Sequence, residues 1–179
     1  MLNKILKTIG LTLLVIMAIA YILPGNVRVE RATLIEAPPS AVFALVNGFE
    51  NFNRWSPWYE RDPDGDYQLE GPLEGIGARM SWSSDKPDVG QGSQEIIESV
   101  PESLVRTKLD FGDKGNANAF FELEARGENQ THLIWGFKSD LGLNPISRYS
   151  GLMFEKWIGP DYEQGLAKLK TIAEKDAAN

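Results

Sequence analysis

Polar and apolar positions follow three different periods along this chain. Residues 8–23, TIGLTLLVIMAIAYIL, carry no charge and are apolar on every side, the pattern of a helix that meets lipid on all faces. Residues 27–35, VRVERATLI, are rich in β-branched residues and predict a strand. Ala37-Pro38-Pro39-Ser40 breaks that strand, and Ser40 opens a short helix to about Val46. A second helical turn over 47–53 leads into Trp55-Ser56-Pro57-Trp58-Tyr59. From there on the period is two. Strands are predicted over 66–70, 77–83, 91–99, 103–111, 116–126 and 130–138, separated by short turns marked by Gly and Pro. Such a succession makes an antiparallel meander.

The alternation is clearest in the last three strands. Val105, Thr107, Leu109 and Phe111 share one face, opposite Arg106, Lys108 and Asp110. Ala117, Ala119, Phe121, Leu123 and Ala125 form the matching face of the next strand, and Leu133, Trp135 and Phe137 that of the last. Met80 and Trp82 share a face earlier, as do Gln94 and Ile96. The sheet is therefore apolar on one side and wet on the other. Residues 146–177 supply the cover. Phe154, Trp157, Ile158, Leu166, Leu169, Ile172 and Ala173 recur there near helical spacing. Gly159-Pro160 predicts a kink, or a break into two helices with Asp161 near the new N-terminus.

Composition narrows the chemistry. The 179 residues suit one domain with an appendage, and 42% hydrophobic residues are ample for a core. A net charge of -7 argues against a binder of nucleic-acid phosphates. It lends no support to adhesion to an acidic membrane surface. The chain has no cysteine and one histidine, which excludes disulfides, thiol nucleophiles, Cys-ligated metals and multi-His metal sites. No cofactor or metal is expected.

The apolar segment at residues 8–23 has two readings. Its sixteen residues make roughly 24 Å of helix, somewhat short of a ~30 Å hydrocarbon core. Leu2, Ile5 and Leu6 extend it, and Lys4 and Lys7 can snorkel to the headgroups. It is either an uncleaved signal anchor or a signal peptide cut after Ala20, in Ala18-Ile19-Ala20. The apolar run continues through Tyr21-Ile22-Leu23, which favours the anchor. Residues 1–25 then form a single-pass anchor in a bacterial inner membrane, and residues 26–179 the domain. Lys4 and Lys7 precede the segment, so the N-terminus stays cytoplasmic and the domain faces the periplasm or the cell exterior.

Few residues carry catalytic promise. His132 lies on the polar face of its strand and reads as a surface histidine; no nucleophile elbow accompanies it. Asp62, Asp64 and Asp66 resemble a calcium loop, but Leu73 stands where the twelfth-position Glu belongs. A solvated turn is favoured. Gly71 to Gly77 reads as a hairpin turn. Asp140 and Arg148 flank the entry to the last helix and read as surface residues. Gln94, on an apolar face, is an amide placed either to orient a ligand or to meet water. Trp55 and Trp58 form either a rigid plug or a cavity wall.

The order of strand, two short helices, six strands and a long helix is the helix-grip order. The sequence resembles the polyketide cyclase/dehydrase group of the START-like (SRPBCC) superfamily. The residues that carry the resemblance are Glu36-Ala37-Pro38-Pro39-Ser40-Ala41-Val42-Phe43, Trp55-Ser56-Pro57-Trp58, Gly75-Ile76-Gly77-Ala78 with Ser81-Trp82, Gly90-Gln91-Gly92, Glu98-Ser99-Val100-Pro101, and Gly159-Pro160-Asp161-Tyr162-Glu163-Gln164-Gly165-Leu166 with Leu169-Lys170. The resemblance implies an α+β fold with about seven antiparallel strands and an apolar cavity beneath the last helix. The residues expected to line it are Trp55, Trp58, Met80, Trp82, Gln94, Leu109, Phe121, Trp135, Phe137, Phe154 and Trp157. A hydrophobic small molecule or lipid is the expected partner, without covalent catalysis. A cyclase/dehydrase-type enzyme and an interaction or envelope-stress module with a vestigial cavity are the alternatives. An enzyme would need an inward titratable group, and Tyr67 and Tyr162 are candidates by type.

Overall fold

The computed structural model describes residues 1–178. Helix α1 (Leu2–Ile22) leads into strand β1 (Asn26–Ile35) and three short helices, α2 (Pro39–Val46), α3 (Phe49–Asn53) and α4 (Pro57–Arg61). Six strands follow: β2 (Asp66–Glu70), β3 (Arg79–Ser83), β4 (Gln91–Val100), β5 (Leu104–Asp110), β6 (Asn116–Ala125) and β7 (Thr131–Asp140). Helices α5 (Pro145–Gly151) and α6 (Phe154–Ala177) close the chain. The strands form one antiparallel sheet in the order β1-β7-β6-β5-β4-β3-β2. The meander thus accounts for six of the seven strands, and β1 returns to pair with β7. This is the α+β helix-grip architecture, with α6 lying across the apolar face of the sheet.

The register shows why one face is apolar. Val29, Phe137, Ala119 and Thr107 stand opposite one another across β1, β7, β6 and β5. Trp135, Phe121 and Val105 form the next row. Leu166, Leu169 and Ala173 of α6 are buried with these rows in the core. A register shift in β4 between Ile96 and Glu98 marks a bulge, the usual device for bending a sheet. On the far face His132 stands opposite Leu34 and Glu124, half-buried, with Nδ1 3.7 Å from a Glu124 oxygen.

Three expectations are corrected. The strand expected from residue 77 begins at Arg79, because Gly77 has φ +88° and serves the preceding turn. Three short helices follow β1 where two were expected, the third being α4 within the tryptophan segment. Pro57 occupies the first position of α4, where its missing N–H costs nothing, and the Ser56 hydroxyl accepts from the Tyr59 N–H. In the C-terminal segment the break falls at Leu152–Met153, not at Gly159-Pro160, and α6 runs through Pro160. Proline there forfeits one backbone hydrogen bond. Arg31 of β1 bridges the gap: it donates to Glu155 (2.6 Å) and Glu163 (2.6 Å), one on each side of the proline. It passes directly over Gly159, where a Cβ would overlap its guanidinium.

A candidate ligand-binding cavity under helix α6

A cavity of about 730 Å³ lies between the sheet and α6, within the 300–1,000 Å³ usual for small-molecule sites. Its floor comes from alternate positions of adjoining strands. Met80, Gln94 and Leu109 form one row across β3, β4 and β5. Thr107, Ala119 and Phe137 form the next, and Phe121 with Trp135 the third. Trp82 closes one end of the sheet, its indole N–H donating to the Val89 carbonyl (3.3 Å) and its ring set edge-on to Phe111.

The roof belongs to α4 and α6. Trp58 stands edge-on to Trp135 (5.9 Å between centroids) and to Tyr162 (6.3 Å). Trp157, 53% exposed, lines the cavity from the solvent side. Nine of the eleven expected residues thus border the space. Trp55 and Phe154 do not. Trp55 is 0% exposed and its N–H donates to the Leu45 carbonyl (2.9 Å). Its ring meets Phe52, Trp135 and Phe121 edge-on at 4.7, 5.1 and 5.8 Å. It is therefore a plug behind the wall, while Trp58 is the wall. Phe154 packs edge-on against Phe137 (5.8 Å) and beside Trp157, outside the lining.

Asn53, whose Oδ1 is buried without a partner among the described residues, and Ser56 border the cavity from the α3–α4 side, and two further sets of polar groups line it. At the rim, Arg61 of α4 is ion-paired with Asp161 of α6, with Nη1 3.1 Å from Oδ2 and Nη2 closer still. The bond to Asp161 raises the Arg61 pKa above its ordinary value. Lys156 and Asp88 border the same rim. Asp161 is therefore not at a helix start, as expected, but in mid-helix with a partner from α4. On the floor, Gln94 and Thr107 are 7% and 3% exposed, and among the described residues neither side chain has a hydrogen-bond partner. Thr107 was visible on the apolar face in sequence, as the polar member of its row. Arg61 had no local signal, because its partner lies 100 positions away.

Tyr59, Tyr67 and Tyr162 border the cavity, and burial perturbs the last two. Burial, then the charges of Asp62 and the neighbouring Tyr59, raises the Tyr67 pKa, and its hydroxyl donates to the Asp62 carbonyl (3.0 Å). Burial pushes Tyr162 far above the ordinary phenol range, with Asp161 adding to it. Neither phenol ionises near neutral pH. Asp62, from the aspartate-rich turn, accepts from Ser84 and pairs with Lys86 (3.3 Å). His132 is on the opposite face of the sheet. Arg148, expected on the surface, faces α1: its guanidinium donates to the carbonyls of Ala20 (3.3 Å), Tyr21 (3.0 Å) and Leu23 (3.2 Å). Tyr149 donates to the Ile16 carbonyl (2.7 Å).

Solved structures share this architecture. A protein of unknown function from Staphylococcus aureus superposes with TM-score 0.64 at 12% identity, over 86% of this chain and 97% of its own. A point mutant of norcoclaurine synthase from Thalictrum flavum, in complex with a transition-state analogue, gives 0.64 at 10% identity, over 84% and 96%. The di-domain ARO/CYC StfQ of the steffimycin biosynthetic pathway gives 0.61 at 12%, over 86% of this chain and 52% of that one. No curated protein matches the sequence. Identities this low establish a common fold and nothing about ligands. The family described as polyketide cyclase / dehydrase and lipid transport matches residues 26–174, nearly all of the domain built from the sheet and α6, and the chain belongs to that family.

Proposed function

We propose that the protein binds a hydrophobic small molecule or lipid in the cavity under α6, without covalent chemistry, and is held at a membrane by α1. The observation that carries this reading is the open cavity of about 730 Å³ walled by Trp58, Met80, Trp82, Phe121, Trp135 and Phe137. A vestigial site would be filled by these side chains. Apolar walls with few polar groups suit a greasy ligand.

The titratable groups favour binding over catalysis. Arg61 and Asp161 are committed to each other, Tyr67 to a backbone carbonyl, and Tyr162 is held neutral by burial. A cyclase/dehydrase-type enzyme is the second reading, supported by Asp161 and Tyr162 bordering the cavity. Asp161→Asn and Tyr162→Phe separate the two: a binder keeps its ligand, whereas an enzyme loses turnover.

Two observations support residues 1–25 as a retained anchor for the domain that follows. Helix α1 is 21 residues long with mean hydropathy 2.2 in its most apolar window. The segment around Ala20 is engaged by the domain, with Ala20 buried and its carbonyl bonded to Arg148. Cleavage after Ala20 would discard part of that contact. Lys4 and Lys7 at the start of α1 favour a cytoplasmic N-terminus, which supports a domain on the periplasmic or outer side. Leu143 and Ile146, both exposed, lie beside this junction, and the family's lipid association fits loading from the bilayer.

Native mass spectrometry of the full chain released from mild detergent tests the proposal. A co-purified apolar molecule, lost in Trp58→Ala, is expected. A ligand-free protein that takes up no apolar probe would overturn it.

A further inference from the structure

The cavity floor holds two polar side chains where strand alternation calls for apolar ones. Gln94 of β4 stands between Met80 and Leu109, and Thr107 of β5 between Ile96 and Ala119. Both point to the α6 side, and both are more than nine-tenths buried. The Thr107 hydroxyl is buried without a partner among the described residues, and the Gln94 amide, which opens onto the cavity, makes no side-chain hydrogen bond there. Native proteins pair almost all such groups. Each is the diagonal neighbour of the other: Gln94 pairs across with Leu109, two residues from Thr107. Diagonal positions lie about 7–8 Å apart, within reach of a long side chain. Gln94 can extend towards the threonine, and rotation of the Thr107 side chain between staggered wells exchanges its methyl for its hydroxyl at the cavity surface.

We propose that Gln94 and Thr107 form a recognition subsite for a neutral oxygen function, a carbonyl or hydroxyl, at the inner end of an otherwise apolar ligand. The inference rests on the binding reading above and specifies its ligand. A carbonyl accepts from the Gln94 amide and the Thr107 hydroxyl together; a hydroxyl donates to one and accepts from the other. The function is neutral because, among the described residues, no cation borders the floor. Arg61 and Lys156 are at the rim, and Arg61 is already neutralised by Asp161. A carboxylate driven to the floor would be a buried, unpaired charge. The ligand therefore enters with its neutral polar end first and keeps any charged group outside.

A matched probe set tests this: 2-acetonaphthone, 2-naphthol and 2-ethylnaphthalene, titrated by tryptophan fluorescence against the full chain in nanodiscs, with empty nanodiscs as baseline. The two oxygenated probes are expected to bind about tenfold more tightly than the hydrocarbon, the ratio that one satisfied buried hydrogen bond supplies. Gln94→Leu and Thr107→Val should each reduce that ratio several-fold and leave 2-ethylnaphthalene unchanged or tighter. Thr107→Ser, which keeps the hydroxyl, should retain the preference and guards against a misfolded Thr107→Val. Equal affinity for all three probes in the native protein overturns the subsite and leaves the cavity reading standing. Binding of none overturns both.

Discussion

The Trp135 indole of β7 lies flat against the Tyr162 ring of α6, with 3.7 Å between centroids and 8° between planes. This stack joins the sheet to the helix that roofs the cavity. It forms because α6 carries Gly165 at its closest approach; a Cβ there would come within 2.8 Å of Trp135. Trp135→Ala should destabilise the domain by about 3–5 kcal/mol, the range for deleting a buried aromatic ring, measured by denaturant unfolding.

Tyr162 also makes stability depend on alkaline pH. Its folded pKa is raised, so its contribution is fully present below the unfolded phenol value of about 10 and is lost as pH rises beyond it. The slope approaches about 1.4 kcal/mol per pH unit for this one group. Tyr162→Phe keeps the stack and should flatten that slope, leaving a smaller residual from Tyr67, whose pKa is also raised. An unchanged alkaline profile in the variant would show that Tyr162 is not buried as described.

Trp55 and Trp58 should separate stability from binding. Trp55→Phe removes the indole N–H that satisfies the Leu45 carbonyl, costing about 1–3 kcal/mol for the orphaned acceptor, with little change in uptake of an apolar probe. Trp58→Ala opens the roof, and probe affinity should fall several-fold. Chemical denaturation and fluorescence titration of both variants decide the matter.

Gly159 and Arg31 should be coupled. Alanine in a helix interior ordinarily gains about 1 kcal/mol over glycine. Here the added methyl meets the Arg31 guanidinium and displaces it from Glu155 and Glu163. Gly159→Ala is therefore expected to be neutral or destabilising in the native background. It should stabilise by about 1 kcal/mol once Arg31→Ala has cleared the space. Additive effects in the double-mutant cycle would count against the clamp.

Arg148→Ala should loosen the join between α1 and the domain, since it removes three bonds to the last carbonyls of the helix. Limited proteolysis of the full chain in nanodiscs should cut faster between Leu23 and Asn26, while ligand uptake is retained.

Much of the fold was legible along the chain. The two-residue alternation placed the strands to within a few residues, and Thr107, Leu109, Ala119, Phe121, Trp135 and Phe137 all fall on the face assigned to them. The break weighed at Pro160 does not occur, because the Arg31 bridge that steadies the helix there comes from a strand more than a hundred positions earlier. The same distance hid Arg61–Asp161.

Periodicity is a property of neighbouring residues, so the pattern of the chain was enough to settle the succession of strands, the apolar face of the sheet and the polar intruders Gln94 and Thr107 upon it. Pairings between elements depend on how far the sheet curves and where α6 crosses it. Only the assembled structure could therefore show that Trp55 plugs the core while Trp58, three positions on, walls the cavity. It alone joined Arg148 to the carbonyls of α1, and it alone left Gln94 and Thr107 buried without partners.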